Sequence, residues 1–353
     1  MNAPPEPRTP AHPFEAVGAP PEELRALLES LGQPGYRAEQ ILRWVYKGGA
    51  NGFEAMSNLP KALRAALAER AVVLTTAVAK VAESRDGTRK LLIVLADGAC
   101  VESVAIPEGG RCTACISTQV GCALGCVFCA SGMGGLERDL SASEIVEQVL
   151  HAGRQRPPGT RLTNVVVMGI GEPLMNYDAV VRALRALTAP WGLALSGRRI
   201  TLSTSGLPAR VRQLAAEGLG VNLAVSLHAA DDLTRRRLMP HAQAVHEVVA
   251  AARDYLHATG REVTLEWVLI RGMNDSAEDA HALAELVGRE RMLVNLLPLN
   301  EVEGVALEAS PAARVERFAA ELRRRGVRVK VRRRRGADIA GACGQLRRRQ
   351  PPG

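Results

Sequence analysis

Residues 121–132 read GCALGCVFCASG and bring Cys122, Cys126 and Cys129 within eight positions. Close cysteines in a chain without a secretory signal more often bind metal or do catalysis than form structural disulfides. A closed structural zinc site uses four ligands, usually as two dyads. Three ligands leave one position open, and an open position on a metal centre is where chemistry happens. The tight Cys-x3-Cys-x2-Cys loop suits an iron–sulfur cluster, with a zinc loop or three incidental buried thiols as the plainer readings.

Two further thiols stand apart from that loop. Cys343 lies far along the chain in GADIAGACGQL, beside Gly341, Gly344 and Gln345. A lone late cysteine is ordinarily a small buried hydrophobe, but this neighbourhood is flexible and packs poorly. Cys115 stands just ahead of the cluster loop, outside its ligand set. Two spare thiols suggest covalent chemistry. Cys100 and Cys112 read as incidental, although Cys112-x2-Cys115 leaves Cys112 able to compete for Cys115.

The remaining candidates sit where strands end. MGIGEP (168–173) closes an apolar run with Gly171 and Glu172, and Glu172 is a sensible counter-charge for an ammonium group. Ser203 in LSTSG, Ser226, Leu227 and His228 in SLH, and Asn300 in PLN follow later runs. Each alone reads as a capping or core polar group; together they read as a polar ring around one ligand.

The elements that position them alternate. After Pro107, apolar β-branched runs at 115–120, 165–168, 199–203, 221–227, 263–270, 292–297 and from 327 are separated by helical stretches. Ser141 with Glu144, and Ser276 with Asp279, supply helix-start signals. Six or seven βα units predict an α/β fold built on an open or partial (β/α) barrel, with the site at the C-terminal ends of its strands. Upstream, Leu24, Leu27, Leu28 and Leu31, then Ala38, Ile41, Leu42 and Val45, keep helical spacing, and a third helix begins near Asn58. Strand-like runs separated by RDGT and DG follow. The expected organisation is a Pro-rich disordered tail over 1–21, a small N-terminal helical domain over 22–70 and a β-rich bridge over 71–107. The catalytic core covers 108–346 and a basic tail 347–353.

Composition sets the class. The 353 residues are 47% hydrophobic but only 3% aromatic, so Ala, Val and Leu must fill the core. No apolar stretch approaches the roughly 20 residues that span a bilayer, and the N-terminus resembles no secretory signal. A cytoplasmic location away from membranes is expected. The net charge of +8 and pI near 9.4 favour a polyanionic partner. The run 323–335 carries eight Arg and one Lys; phosphate contact and a solvated basic edge are its two readings. With so few aromatics, RNA would be read by shape and by extruding a base rather than on a stacking platform.

The cysteine loop resembles the signature of the radical S-adenosylmethionine (SAM) superfamily, in which three cysteines hold a [4Fe-4S] cluster and SAM chelates the fourth iron. Phe128 fits the aromatic that packs beside the adenine, and MGIGEP resembles the motif that holds the SAM amino group. The set YRAEQILRWVYKGG, VESVAIP, CISTQVGCALGCVFC, MGIGEPLMNYD, RRITLSTSG, VNLAVSLHA, VNLLPLN and ACGQL, in this order over residues 22–346, is similar to the dual-specificity adenosine C2 methyltransferases of 23S rRNA and tRNA. The resemblance implies that one SAM methylates Cys343. A second SAM then yields a radical that takes hydrogen from that methyl group, and the resulting carbon radical adds to carbon 2 of adenine. Cys115 frees the product through a transient disulfide with Cys343, and Glu102 falls on the proton acceptor. It also implies an electron donor such as flavodoxin or ferredoxin and a monomeric enzyme. Ala340 departs from the acidic residue often found there. The related carbon 8 methyltransferases share nearly all these motifs. Glycyl-radical activating enzymes, which act on protein, share the cluster loop but have no use for Cys115 and Cys343. An iron–sulfur RNA-binding protein is the non-enzymatic alternative.

Overall fold

The computed structural model describes residues 14–347. The chain enters through a two-residue strand β1 (Phe14–Glu15) and three helices, α1 (Pro21–Ser30), α2 (Arg37–Tyr46) and α3 (Lys61–Arg70). Pro21 opens α1 at a position where its missing N–H costs nothing. Ala38, Ile41, Leu42 and Val45 bury one face of α2. The strand β2 (Ala71–Val72) then pairs parallel with β1. The disordered tail expected over 1–21 is therefore too long: Ala16, Val17 and Ala19 are buried, because burial of these small apolar residues outweighs the local proline content. The rest of that tail, and the basic tail from 348, lie outside the described residues.

Three antiparallel strands form the bridge: β3 (Ala77–Glu83), β4 (Arg89–Val94) and β5 (Cys100–Glu108). The strand β6 (Arg111–Cys115) pairs antiparallel with β5 and parallel with a later strand, joining the bridge to the core in one sheet. The first core strand therefore ends at Cys115 rather than running over 115–120. Beyond it Ser117 N–H donates to the Gln148 side chain instead of a neighbouring strand. Residues 119–121 form a separate ribbon, β7 (Gln119–Gly121) with β8 (Leu136–Asp139), that clasps the ends of the cysteine loop.

From there helix and strand alternate: α4 (Ala142–Arg154), β9 (Arg161–Val167), α5 (Tyr177–Thr188), β10 (Ile200–Thr204), α6 (Pro208–Ala216), β11 (Asn222–Ser226), α7 (Asp232–Leu238), α8 (Val245–Thr259), β12 (Val263–Leu269), α9 (Ala277–Val287), β13 (Leu293–Pro298), α10 (Ala312–Arg324) and β14 (Arg328–Val331). Both capping boxes form: Glu144 N–H donates to Ser141 Oγ at 3.1 Å and Asp279 N–H to Ser276 Oγ at 3.0 Å. The strand order is β14-β13-β12-β11-β10-β9-β6-β5-β4-β3, so seven parallel strands wind in one direction and the sheet never closes. This is the partial barrel the alternation predicts. Its central strand β12 is buried on both faces, and Trp267 on it packs against Phe318 of α10 at 5.9 Å between ring centroids.

The segment after β14 crosses the open side. Gly336 N–H donates to Asp86 and Ser84 Oγ to Asp338, tying the segment to the β3–β4 turn. Lys90 Nζ reaches the Ala340 carbonyl, Ala130 N–H the Gly344 carbonyl and Ser131 Oγ the Leu346 carbonyl. A strap thus replaces the missing closing strand, and Cys343 rides on it.

Candidate active site

At the C-terminal ends of the parallel strands lies a cleft that opens to solvent. Cys122, Cys126 and Cys129 all face it. Gly121, with φ +81°, makes the turn into the loop, and a Cβ there would strike the Gly135 carbonyl oxygen at 2.0 Å. Cys122 N–H donates to that same carbonyl, and Cys129 N–H to the Cys126 carbonyl, which sets the loop's curl. Burial pushes the Cys122 thiol up to about 11, opposed by the Leu124 N–H and reinforced by Cys129. Burial also raises Cys126 and Cys129, Cys126 further through the other two thiols. Three desolvated, mutually repelling thiols become thiolates only around a cationic group. Among the described residues no three His, Cys, Asp or Glu side chains converge as the shell of a single metal ion. The three thiols facing one cleft fit a cluster that takes one thiolate per iron.

The far wall is polar. Gly171 turns the chain after β9 with φ +108°, and a Cβ there would lie 2.7 Å from the Gln119 Cβ, a clash that only glycine avoids. Glu172 is buried and accepts hydrogen bonds from Thr204 Oγ1 (2.7 Å), Ser205 N–H (2.7 Å) and Leu174 N–H (3.0 Å). Burial raises its carboxyl, opposed by these donors; a ligand ammonium would favour the anion. Ser203, Ser226 and His228 line the same wall. His228 adopts φ +58°, accepts the Val268 N–H on Nδ1 at 3.0 Å and meets Phe128 edge-on at 4.9 Å. Burial, and then Arg235, push it down to about 3, so it is a neutral wall. Leu227 is the exception. Between two cleft-facing neighbours its side chain turns into the core, leaving only its backbone near the site.

Asn300 lines this cleft and donates from Nδ2 to the Cys343 carbonyl at 2.9 Å, while its buried Oδ1 has no partner among the described residues. An unfilled acceptor on a cleft wall suits a ligand donor.

Behind Asn300 opens a second, smaller cavity, lined by Cys115, Cys343, Leu346 and arginines 332–335. Cys343 faces both cavities. Burial, and then Cys343, push the Cys115 thiol up to about 12. Cys112 does not compete for it: three residues earlier on the same strand, it points to the opposite face and packs in the main core, whereas Cys115 packs with Val104, Ile170 and Leu346. Cys100 is buried elsewhere in the sheet. Glu102 lines neither cavity. It lies buried on β5, paired with Lys90 at 2.9 Å, and accepts the Arg347 N–H at 3.0 Å.

Three contributors escaped sequence reasoning. Arg235 donates to the carbonyls of Ser205, Ser226, Leu227 and Gln243, lacing the ends of β10 and β11 together. Glu266, on β12, faces the cleft with Asn295 Nδ2 donating to it, and burial pushes it up to about 7 against the pull of Arg332. Arg332, expected at an RNA-contacting edge, instead turns inward to both cavities. Strand register alone could have found Glu266 and Arg332, and nothing in the local sequence marks Arg235.

Comparison with known proteins agrees with this architecture. The radical SAM superfamily model matches residues 116–287, and the ribosomal RNA large subunit methyltransferase N-terminal domain matches 16–73. A probable dual-specificity RNA methyltransferase RlmN of Opitutus terrae is 47% identical over 96% of this chain and 95% of its own, and that of Rhodopirellula baltica is 44% identical over 93% and 89%. The crystal structure of a radical SAM methyltransferase from Sphaerobacter thermophilus superposes with a TM-score of 0.92 at 44% identity, covering 95% of this chain and 99% of that one. With relatives this similar over nearly its whole length, the chain belongs to the dual-specificity RNA methyltransferase family of radical SAM enzymes.

Proposed function

We propose that this enzyme methylates carbon 2 of adenosine in 23S rRNA and tRNA through a methylated Cys343. The observation that carries the reading is the position of Cys343, the one cysteine that lines both the cleft with the three cluster thiols and the cavity with Cys115. The relatives' dual-specificity naming and the rRNA-methyltransferase match of residues 16–73 support the substrates.

Cys122, Cys126 and Cys129 would hold a four-iron cluster, which when bound would supply the electron for reductive cleavage of SAM. Glu172 holds the SAM ammonium, with Gly171, Ser203, Ser226, His228 and Asn300 completing the binding wall. Cys343 presents its S-methyl group to that wall, and loss of a hydrogen atom leaves a carbon radical that adds to carbon 2. This route suits the target, since carbon 2 of adenine is too electron-poor to attack SAM itself. Glu102 takes the proton from carbon 2 once the strap lifts Arg347 from its carboxylate, as the adduct radical gives up one electron, which the oxidised cluster would take back. Cys115 then attacks the Cys343 sulfur: a disulfide forms, the sulfur–carbon bond breaks, and its electron pair stays with the carbon and takes up a proton. The enzyme acts as a cytoplasmic monomer, with flavodoxin or ferredoxin as the electron donor.

The test is mass mapping of methylated adenosine in RNA treated with the anaerobically reconstituted enzyme, wild type and Cys343→Ala. Methyl groups at carbon 2 that vanish in Cys343→Ala are expected. Methylation at carbon 8, or methylation surviving in Cys343→Ala, would overturn the reading.

A further inference from the structure

Arg332 is the charged residue in the wall shared by the two cavities, where its neighbours are Met168, Leu297, Pro298, Asn300 and Cys343. Strand register puts it there. Glu266, Asn295 and Lys330 are aligned across β12, β13 and β14, and Val268 pairs with Leu297 two residues on. With a period of two, position 332 continues the face of Lys330 and projects beside Val268 and Leu297 towards the barrel interior. Its backbone is fixed there, because Arg332 N–H donates to the Leu296 carbonyl at 2.9 Å and extends the ladder by one bond.

The rest of the basic run behaves differently. Arg334 donates to the Leu299 carbonyl, Arg335 lies 3.9 Å from Asp86, and Arg333 is exposed. Arg332 has no such partner: among the described residues its guanidinium lies within ion-pair distance of no carboxylate, and Cys343, then Glu266 and Cys115, are the groups whose negative charge raises it. Arg332 is partly buried, with Glu266 near it, and a guanidinium so placed beside the Cys343 thiol is set to serve an anion that appears in the reaction.

We propose that Arg332 is a positioning residue for the sulfur chemistry, its fixed positive charge set in the same wall as the Cys343 sulfur that takes the methyl group. In that step the sulfur forms a bond to the methyl carbon as the sulfonium–methyl bond breaks. The bonding pair leaves with S-adenosylhomocysteine, and the negative charge on sulfur is cancelled by the positive charge of SAM. Arg332 then faces a neutral thioether, leaving Glu266 as its remaining nearby carboxyl and Cys115 as the next sulfur to attack. The inference rests on the methyl-Cys343 reading.

The experiment uses cluster-loaded enzyme whose Cys343 is unmethylated at the start, as wild type, Arg332→Gln and Arg332→Lys. Three quantities are followed: methyl occupancy of Cys343 by peptide mass, SAM cleavage, and the rate at which Cys343 reacts with iodoacetamide when SAM is absent. In Arg332→Gln, Cys343 methylation should fall at least about tenfold more than SAM cleavage, and alkylation should slow in parallel. Arg332→Lys should recover most of both. An alkylation rate equal to wild type in Arg332→Gln would overturn the proposal, as would equal losses of methylation and SAM cleavage. Should Arg332→Gln lose its cluster, Arg332→Lys decides alone: it keeps the charge, so wild-type alkylation supports the proposal and a tenfold loss overturns it. A Cys343 that never carries methyl in wild type would instead sink the underlying reading.

Discussion

The two cavities that meet at Cys343 are built by different means. The cleft takes most of its wall from the ends of parallel strands and the rest chiefly from the cysteine loop, so for the strand residues the distance from the strand end decides whether they reach the ligand. The second cavity joins Cys115, at the end of β6, to Cys343, Leu346 and arginines 332–335 on the strap. The strap is held by scattered bonds to the β3–β4 turn, β4, β5 and the cysteine loop. One cavity is fixed by a sheet, the other by a segment that single hydrogen bonds fasten. The cleft is therefore preorganised for its ligand, while the second cavity is where movement can occur at small cost.

The largest effect should come from removing the cluster ligands. The triple Cys122/Cys126/Cys129→Ala variant should lose iron, brown colour and SAM cleavage together, measured by iron content, absorbance and 5′-deoxyadenosine. The fold should survive, since these thiols lie in a loop outside the strand ladders. A reducible four-iron cluster in that variant would mean that the cleft is not its site.

Next comes the thiol of the second cavity. Cys115→Ala should leave SAM cleavage running and block release, because no sulfur remains to attack Cys343. RNA should accumulate covalently on Cys343 as a band that disappears with ribonuclease. A variant that turns over freely with no adduct would break the division of labour between the two cavities.

A smaller effect tests the polar wall. Glu172→Gln keeps the shape but not the charge, so it should weaken SAM binding about tenfold to a hundredfold, the range for one charge-assisted hydrogen bond. Equilibrium binding to cluster-loaded protein reads it. Unchanged affinity would hand the ammonium to another group, with Glu266 the nearest alternative carboxyl on the cleft.

The contrast between the cavities also explains what the sequence could tell. The cleft was legible because its parts are local: three cysteines in one loop, glycines where φ must be positive, and polar residues one or two positions past a β-branched run. Where that reasoning slipped, strand geometry was the cause. Leu227 alternates away from the ligand between Ser226 and His228, and the first core strand stops at Cys115 because the next residues pair with Leu136–Asp139. The second cavity was not legible from local pattern. Cys115 and Cys343 meet only through the strap, whose bonds link residues some 250 positions apart, and family resemblance alone paired them. Resemblance also named Glu102 without showing that Lys90 and Arg347 already occupy its oxygens. Arg332 was misread because composition counts charges and does not say where they point.

The smallest expected effect follows from that last misreading. If the basic run acted as one surface, each arginine removed would flatten the salt dependence of RNA binding equally. Instead Arg333, which is exposed, and Arg335 line only the second cavity, while Arg332 lies in the wall that both cavities share. Arg335 is only loosely engaged by Asp86, which the β3–β4 turn brings to 3.9 Å. Neutralising Arg333 and Arg335 to Gln should lower the slope of log affinity against log salt by about 1.4, roughly 0.7 for each phosphate released from a single strand. Arg332→Gln should leave that slope where it was, because a side chain on the inner wall meets at most the extruded base and not the backbone. Binding measured across salt concentrations with one RNA decides between the two pictures. Equal slope changes from Arg332 and Arg333 would return the whole run to a single phosphate-binding edge, and no change from either double or single variant would make it a solvated face.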